Sequence, residues 1–530
     1  MTAAEPVPAE ITWTSRLNEM LGLDGHEPHM LYAGRWYSWD EIRAIAAIMR
    51  TRTRLVPEDQ AIAVICRNHP LLLGAALGLL ADRRCLYPVS AVAPADAIRA
   101  ELAEARPAIL VAMPEDVARA GVRDTAALGG TVVFEVHDGG VMGGRPAGDV
   151  APGETASRAP LAYPAGTAFV LQTSGTTGPP KRVPLSYANI EANINAMQVR
   201  VGHGHEPARL RHSVAILNTQ LSHVGGMMSF CLSCVEGRRL ALLDKFEPRP
   251  WAEFVRDYAV RSAGVPPAAL AMLLDSDIPR EWLSSLIMIR SGTAPLDPRL
   301  AVQFEERFGI PVVQAYGATE TQGISSWTLG DLKQWGAAKR GSVGLPHRGV
   351  ELRVTDPGTG SDVAPGGRGR LWVRSAQSAI RTADGWVPTN DIASIDSDGF
   401  LWIHGRTDDI INRGGLKVDG VAVASVLETH PWVEAATVVG VADRRLGEVP
   451  CAAVVLAVGA PGAPGDADEA DRVLRSYLRE RLAPYMVPVA FTFVAALPRN
   501  PTLKVDRGAV KALFANLAAQ SAAGASGTPA

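Results

Sequence analysis

Short apolar runs alternate with longer amphipathic segments through the middle of the chain, and this rhythm constrains the fold more than any other feature. Ala61–Cys66 is typical of a buried strand and Pro70–Ala81 of a helix. The same pattern predicts strands at 108–112, 131–134, 168–172, 214–217, 286–290 and 311–314, and helices at 187–201 and 298–308. This alternation predicts mostly parallel sheets built from βαβ units.

Beyond Gly341 the pattern changes to short strands separated by turn residues such as Asp398-Gly399, which predicts a smaller β-rich unit. Residues 137–165 are rich in Gly, Pro and Ala and are predicted to be an exposed connector. Residues 517–530 are rich in Ala, Ser and Gly and are predicted to be a disordered tail.

Length and charge exclude several classes of protein. The 530 residues are enough for more than one domain. A net charge of −3, from 52 basic and 55 acidic residues, and a hydrophobic content of 47% argue against a nucleic-acid binder, a polybasic membrane-surface protein and a disordered chain.

Cysteine usage and apolar run length indicate a cytoplasmic protein. Five cysteines do not make a disulfide framework and fit a reducing compartment. Cys231 and Cys234 are spaced to share one helix face, so we predict burial over the alternative of a redox or metal role. The N-terminus has no basic region that would predict a signal peptide, and the run Pro70–Ala81 is too short to cross a bilayer.

The strongest local signal follows the strand predicted at 168–172. The segment reads Thr173, Ser174, Gly175, Thr176, Thr177, Gly178, Pro179, Pro180 and Lys181. Its glycines let the backbone approach an anion, its hydroxyls donate hydrogen bonds and its lysine adds charge, so it can cradle phosphates. Pro180 stands where a Walker A loop needs Gly, so that motif is absent. A plain polar surface loop is the alternative interpretation.

Further candidate binding residues come later in the chain. Tyr316 to Glu320 supply a ring for stacking, a hydroxyl and a carboxylate suited to Mg²⁺. Asp391 can accept from two ribose hydroxyls, and Arg406 can hold phosphate or ribose oxygens. The stretch 497–507 carries one lysine, Lys504.

In order and spacing this motif set resembles the superfamily of adenylate-forming enzymes, in its branch of acyl-CoA synthetases and aryl-CoA ligases. The resemblance runs from about residue 60 to about residue 510. It implies an α/β fold with a large N-terminal domain of βαβ-type sheets plus a small β-barrel-like part, and a mobile smaller α+β C-terminal domain. We expect residues 1–407 and 408–516 to form the two domains, with the hinge at Asp408.

The resemblance also implies the reaction and its ligands. ATP and a carboxylic acid give an acyl-adenylate and pyrophosphate, and coenzyme A then displaces AMP. The implied nucleotide- and CoA-binding residues are Thr173, Ser174, Gly175, Thr176, Thr177, Gly178, Lys181, Gly292, Thr293, Ala294, Tyr316, Asp391, Arg406, Gly414 and Gly415. The implied catalytic residues are Lys504, His223, Thr319 and Glu320, and Glu320 is the implied Mg²⁺ ligand. For Lys181, a solvated position is the alternative.

Lysine is scarce, with seven residues against 45 arginines, so each lysine raises the question whether a compact ammonium is needed. Lys504 matches the family's catalytic lysine. There a carboxylate attacks a phosphate, and positive charge is needed where negative charge accumulates. His223 matches a position at the entrance for the acid, with Met227, Met228 and Ile324 as apolar pocket candidates.

Amino-acid-activating relatives carry an Asp near His223 that pairs with the substrate ammonium, and none stands between Ile216 and Phe230. We therefore expect an acid without an α-amino group.

Four residues depart from the family pattern: Arg182, Asn390, Leu503 and Ala422. Transfer to a carrier-protein thiol or an amine is an alternative, and a silent nucleotide-binding homologue is a weaker one. The acid, pathway and oligomeric state stay open.

Overall fold

The computed structural model describes residues 12–124, 130–138, 140–146, 160–173, 181–200, 207–457, 459, 466–500 and 503–515. The predicted phosphate loop at 174–178 and the predicted tail at 517–530 lie outside the described residues. The helices are α1 (Trp13–Leu21), α2 (Trp39–Thr53), α3 (Pro70–Ala81), α4 (Ala95–Ala105), α5 (Pro114–Ala120), α6 (Tyr187–Arg200), α7 (Val224–Glu236), α8 (Pro248–Asp257), α9 (Pro267–Leu274), α10 (Pro298–Phe308), α11 (Leu329–Trp335), α12 (Gly420–Leu427) and α13 (Ala467–Arg479).

The first fourteen strands build the α/β part of the molecule. They are β1 (Pro28–Tyr32), β2 (Arg35–Ser38), β3 (Ala61–Cys66), β4 (Cys85–Ser90), β5 (Ile109–Ala112), β6 (Val132–His137), β7 (Gly140–Pro146), β8 (Thr167–Thr173), β9 (Lys181–Ser186), β10 (Arg211–Leu217), β11 (Arg238–Leu242), β12 (Ser262–Val265), β13 (Met288–Ser291) and β14 (Val312–Gln314). Their seven-stranded sheet has the order β7-β6-β5-β3-β4-β8-β9, with parallel pairing from β6 to β8.

A second layer of two small sheets, β10-β11-β1-β2 and β12-β13-β14, completes the α/β part. Between the layers lies α3, whose twelve residues are all buried. That burial explains its apolar composition on every face. Its Gly78 lets α2 approach, because a Cβ there would lie 2.4 Å from the carbonyl oxygen of Ala46.

The β-rich unit predicted after Gly341 consists of antiparallel strands. They are β15 (Tyr316–Ala318), β16 (Gln322–Ser326), β17 (Leu345–Pro346), β18 (Glu351–Thr355), β19 (Gly369–Arg374), β20 (Trp386–Ile395) and β21 (Leu401–Arg406). They form a three-stranded and a four-stranded sheet. One apolar cluster, which includes Ile324, Val354 and Leu371, joins the two sheets.

The C-terminal part has its own sheet and its own apolar clusters. Its strands are β22 (Ile410–Arg413), β23 (Leu416–Asp419), β24 (Val433–Asp443), β25 (Gly447–Leu456) and β26 (Ala490–Phe493). The sheet order is β23-β22-β25-β24, with β26 paired to β25, and α12 and α13 complete this smaller α+β part. The predicted fold class is confirmed.

One expectation from the sequence needs correction. The predicted connector at 137–165 contains β7, which pairs antiparallel with β6 and so extends the central sheet. The first 60 residues, for which the sequence predicted no individual elements, contribute α1 and α2, whose Trp13 and Trp39 are buried in the main core. Cys231 and Cys234 both lie buried on α7, as predicted. Within the described ranges, no helix is both long and apolar enough to cross a membrane.

Candidate active site

The Tyr316–Glu320 motif forms a tight hairpin edge. Antiparallel pairing of β15 and β16 sets Gly317 opposite Gly323. Only glycine fits at position 317, because a Cβ there would lie 2.3 Å from the carbonyl oxygen of Gln322. The turn between the strands carries Thr319 and Glu320, and the backbone carbonyl of Glu320 accepts from the Ala379 N–H at 2.8 Å.

Tyr316, Asp391 and Arg406 come together from three strands. The Tyr316 hydroxyl donates to the Asp391 carboxylate, and Asp391 stands opposite Arg406 in the β20–β21 ladder. Asp391 is only 9% exposed. Its N–H donates to the Thr389 hydroxyl at 3.1 Å, which orients the chain around it. Burial, and then the neighbouring Asp391, raise the pKa of Tyr316 well above its ordinary value, so its hydroxyl stays a donor.

Lys504 reaches this group from the C-terminal part. Its N–H donates to the Asn500 side-chain oxygen at 3.0 Å, and its carbonyl accepts from the Asn500 N–H at 2.8 Å. Burial, and then the charge of Arg406, lower the pKa of the Lys504 ammonium. The neighbouring Leu503 packs on an apolar cluster of the large part, so the small part is docked with Lys504 close enough to Arg406 for their charges to interact.

Leu503 explains how a residue other than glycine is accommodated before this lysine. Its φ of +63° lies in the left-handed region, which costs a non-glycine residue about 1–2 kcal/mol. Its side chain packs against an apolar cluster of the large part that includes Trp251 and Ile289. The departure from glycine therefore adds a contact between the two parts.

His223 lies at the start of α7, with the Lys504 charge nearby. Burial, and then that charge, lower the pKa of His223 to about 4, so its imidazole is neutral at physiological pH. The preceding turn is tight. A Cβ at Gly226 would lie 2.1 Å from the carbonyl oxygen of Gln220, whereas at Gly225 the nearest atom is Thr293 Cγ2 at 4.0 Å.

The segment Gly292 to Ala294 follows β13 and lies between two of these groups. Thr293 has a left-handed φ of +71° and faces Gly225 on α7. At Gly292 a Cβ would lie 3.3 Å from the carbonyl oxygen of Ala315, the residue before Tyr316. Thr293 therefore lies near the turn after His223, and Gly292 lies beside the residue that precedes Tyr316.

The structure describes both ends of the predicted phosphate loop, Thr173 and Lys181. Thr173 ends β8 and pairs with Lys181, the exposed first residue of β9. Parallel pairing of Leu86 with Phe169 sets Thr173 level with Ser90, whose hydroxyl donates to Gln220 at 3.1 Å. The loop therefore starts at the carboxyl edge of the sheet, near the turn before His223, as is usual for ligand sites in such sheets.

Arg182 departs from the family pattern for a structural reason. Its Nε donates to the Tyr87 hydroxyl at 2.7 Å, and its guanidinium pairs with Glu104 at 2.6 Å. Arg182 therefore fixes β9 to the central sheet and to α4.

The glycine turn has a described hydrogen bond to another residue of the small part. Gly414 and Gly415, with φ of +56° and +89°, form the exposed tip of the β22–β23 hairpin. The Gly414 N–H donates to the carbonyl of Leu446 within the small part, at 2.7 Å. Asp408 lies on a short 3-10 helix, Thr407–Asp409, and its side chain lies outside the described residues.

Glu320 is a suitable ligand for Mg²⁺. Mg²⁺ typically takes one or two carboxylates and completes its shell with phosphate oxygens and water. Among the described residues, no group of three or more His, Cys, Asp and Glu side chains is arranged to hold a metal alone. A single carboxylate fits an ion that arrives with nucleotide phosphates.

Sequence reasoning missed two features of this region. Met227 and Ile324, expected to line a pocket, are fully buried in apolar clusters. Asn193 on α6 is fully buried beside Gly323 and was not recognised. The only available signal was a second Asn four residues after Asn189, on the same helix face.

Known proteins resemble this chain in sequence and in fold. The sequence model of the AMP-binding enzyme family matches residues 25–380, and that of the AMP-binding enzyme C-terminal domain matches residues 422–504. The chain belongs to the AMP-binding enzyme family, and the predicted membership of the adenylate-forming superfamily is confirmed.

Three similar proteins illustrate the range of the family. 4-Coumarate–CoA ligase-like 9 of Arabidopsis thaliana is 30% identical over 354 residues, and the alignment covers 64% of this chain and 61% of that protein. 2-Succinylbenzoate–CoA ligase of Geobacillus kaustophilus is 31% identical over 358 residues, covering 66% of this chain and 69% of that one. The solved structure of the amide bond synthetase McbA from Marinactinospora thermotolerans has a TM-score of 0.76 at 27% identity, covering 95% of this chain and 99% of that one.

Proposed function

We propose that this protein is an AMP-forming acyl- or aryl-CoA ligase, which activates a carboxylic acid with ATP and transfers the acyl group to coenzyme A. The observation that carries the proposal is Lys504, half-buried in the docked small part and close enough to Arg406 and His223 for their charges to interact. Activation brings two anions together, and a fixed ammonium between them offsets the charge that develops.

In the first half-reaction a carboxylate oxygen attacks the α-phosphorus, the bond to the bridging oxygen breaks and pyrophosphate leaves. Asp391 accepts the ribose hydroxyls, with one oxygen oriented by Tyr316. Arg406 and Thr319 contact the ribose and the α-phosphate, and Lys504 bridges the carboxylate and the α-phosphate. Gly292, Thr293 and Ala294 border the adenine.

Residues Thr173 to Lys181 hold the β- and γ-phosphates in this proposal. Glu320 would hold a Mg²⁺ ion, which supplies charge neutralisation for the phosphates when bound. The neutral His223 offers a hydrogen bond at the entrance for the acid. A neutral imidazole and the lack of an acidic residue from Ile216 to Phe230 support an acid without an α-amino group.

In the second half-reaction the thiol sulfur of CoA forms a bond to the acyl carbon, AMP leaves and the thiol proton passes to solvent. We propose that residues 408–516 form a mobile domain that rotates about Asp408 and brings Gly414 and Gly415 to the thiol path. Their exposure at a hairpin tip supports this, because an exposed turn can meet a ligand once the domain has rotated. Five buried free thiols support a cytoplasmic location.

The sharpest alternative is transfer to an amine, the activity named for McbA, or to a carrier-protein thiol. The test measures pyrophosphate release from ATP with a panel of aryl and aliphatic acids, followed by mass spectrometry of the products. Acyl-CoA formation that depends on CoA supports the ligase. Efficient amide or carrier thioester formation with no acyl-CoA would overturn the choice of acceptor, and no pyrophosphate release with any acid would overturn the activity itself.

A further inference from the structure

A short segment lies behind the hairpin that carries Thr319 and Glu320, and we call this segment, residues 375–379, the brace. It follows β19 and contains Gln377, which is buried with 1% exposure. The backbone N–H of Ala379 donates to the carbonyl oxygen of Glu320 at 2.8 Å. The brace is therefore hydrogen-bonded to the turn of the hairpin at the proposed Mg²⁺ ligand.

The Gln377 amide holds the same turn at two further points. Its Nε2 donates to the carbonyl oxygen of Thr321 at 3.0 Å and to that of Gly323. Both carbonyls lie just after Glu320, so one side chain fixes the course of the backbone there. Thr321 is 1% exposed, so water does not readily replace a donor that is lost at this position. Removal of the amide therefore favours a rearranged turn.

Gln322 completes the contact from the side of the hairpin. Its φ of +56° lies in the left-handed region, where glycine is the usual residue. Here the residue is a buried glutamine, whose side-chain Nε2 donates to the backbone carbonyl oxygen of Gln377 at 2.8 Å. Each glutamine side chain thus fixes the backbone around the other. Backbone positions of this kind cluster at active sites, where the surrounding contacts hold them in place.

The other side of the brace is fixed to the strand that leaves the predicted phosphate loop. Asn189 on α6 donates from Nδ2 to the carbonyl oxygens of Ala376 at 2.9 Å and Ser378 at 3.1 Å. Its side-chain oxygen accepts from the N–H of Ser186 at 3.0 Å, and Ser186 ends β9, which begins at Lys181. The brace therefore lies between the two elements that are proposed to contact the triphosphate.

We propose that Gln377 is a positioning residue for adenylate formation, whose amide sets the turn that presents Thr319 and Glu320 to the triphosphate. The inference rests on the proposed function and adds to it a residue that contacts no substrate. Position matters here because a misplacement of about 1 Å can slow a reaction about 100-fold. The adenine and ribose contacts depend instead on Tyr316 and Asp391, whose mutual hydrogen bond does not involve the brace.

The first test measures acid-dependent ATP–pyrophosphate exchange on the full-length protein, with the acid that the wild type uses best. Gln377→Met keeps the length of the side chain and removes both donated hydrogen bonds. We expect kcat to fall about tenfold or more and KM for the acid to stay within about twofold, because His223 at the acid entrance is not part of the turn. Thiolysis of a supplied acyl-adenylate by CoA should stay within about twofold of wild type, since no α-phosphate is attacked in that step.

The second test measures binding rather than turnover, by isothermal titration calorimetry. The ligand is α,β-methylene-ATP with Mg²⁺, in which a carbon replaces the bridging oxygen so that pyrophosphate cannot leave. We expect Kd for this ligand to rise about fivefold or more in Gln377→Met, and Kd for adenosine to stay within about twofold. A loss confined to the triphosphate ligand assigns the effect to the turn that carries Thr319 and Glu320.

Two further variants separate positioning from a loss of stability. Thr355→Val removes the acceptor of the Trp372 indole N–H, a 2.8 Å contact elsewhere in the β-rich part, and should lower the melting temperature without slowing either half-reaction. Gln322→Met removes the reciprocal donor and should lower kcat of exchange about threefold or more. The double variant of Gln322 and Gln377 should lose less than the product of the two single losses, because both side chains fix one turn.

The outcomes separate this inference from the proposed function. No exchange in wild type with any acid overturns the proposed function. With an active wild type, three results for Gln377→Met each overturn the positioning role: a kcat within about twofold of wild type, equal losses in both half-reactions, or equal increases in Kd for adenosine and for the triphosphate ligand. If Gln377→Met does not fold, as judged by its thermal melt, Gln322→Met decides by the same three results.

Discussion

The hydroxyl of Tyr316 donates a hydrogen bond to the carboxylate of Asp391, so a residue expected only to stack on a base also orients the residue expected to hold the sugar. The two lie 75 positions apart in the chain and on different sheets. Their contact links the hairpin that carries Thr319 and Glu320 to β20, whose partner strand β21 ends at Arg406, just before the proposed hinge. This contact fixes the position of the proposed ribose-binding carboxylate relative to the hairpin.

Tyr316→Phe should weaken ATP binding and leave turnover largely intact. The variant keeps the ring but removes a donor to a buried carboxylate, a loss of about 1.5 kcal/mol or more, so KM for ATP should rise about tenfold. The measurement is KM and kcat for ATP in pyrophosphate release. Tyr477→Phe, which loses a hydroxyl contact with Thr429 on the exposed small part, is the control and should leave both constants unchanged. An unchanged KM in Tyr316→Phe would contradict the role given to this contact.

Lys504→Ala should abolish adenylate formation and largely spare thiolysis of a supplied acyl-adenylate. Loss of one pre-positioned charge donor typically slows a reaction about 100- to 1,000-fold. Each half-reaction is followed separately, with synthetic acyl-adenylate and CoA for the second. Lys511→Ala, at an exposed position near the end of the described chain, should behave as wild type. Equal losses in both half-reactions would refute the assigned role.

Leu503→Gly should slow adenylation about fivefold, although it introduces the residue that the family pattern favours. The left-handed φ belongs to the local turn at Asn500 and costs the small part the same whether it is docked or undocked, so its relief does not favour docking. The lost side chain packs on the large part only when docked, a contact of about 1 kcal/mol, so adenylation slows. Leu503→Ala still requires a non-glycine residue to adopt the left-handed φ, and it loses most of the same packing contact. Similar losses in the two variants, measured by single-turnover adenylate formation, would assign the effect to packing. Faster adenylation in Leu503→Gly would show instead that backbone strain dominates.

Arg299→Ala should destabilise the docked arrangement modestly. The Arg299 guanidinium donates to the carbonyl oxygen of Glu428 at 3.0 Å and lies 3.7 Å from its carboxylate, which joins α10 to the small part. Exposed ion pairs contribute about 0–1 kcal/mol, so adenylation should slow no more than about fivefold and thiolysis should not slow. Arg249→Ala breaks an exposed pair with Asp277 within the large part and is the control. A larger loss in the control than in Arg299→Ala would contradict the docking role.

His223→Gln should make the protein less sensitive to acid. The pKa of His223 is lowered to about 4, so between that pH and about 6.5 the unfolded chain binds a proton that the folded chain does not. Stability is therefore lost as pH falls through this window, by about 2 kcal/mol from this residue at pH 5. Urea unfolding at pH 7.5 and pH 5 should show a smaller loss in His223→Gln than in wild type. An equal loss would place the protonation elsewhere.

Local chemistry made much of the fold predictable. Pro70–Ala81 and Pro298–Phe308 occur with the predicted bounds, because a proline starts each helix and their apolar residues continue to its end. The strand β7 was missed because its glycines carry no strand signal, and pairing with β6 supplies what propensity does not.

Site chemistry was predictable as residue types, but its assembly was not. No local sequence pattern predicts that Lys504 lies close enough to Arg406 and His223 for their charges to interact, because this proximity depends on how the small part docks. Such long-range contacts follow from tertiary packing, which a single sequence does not reveal.

The two adjacent glycines of the turn into α7 differ in what they allow a protein engineer to change. At Gly226 any side chain collides with the backbone of Gln220, so diversity there would displace His223. At Gly225 the nearest atom, on Thr293, lies at ordinary contact distance. Libraries meant to alter selectivity at the proposed acid entrance should therefore randomise position 225 and leave position 226 fixed. A side chain fits at the first position without moving the backbone, and none fits at the second.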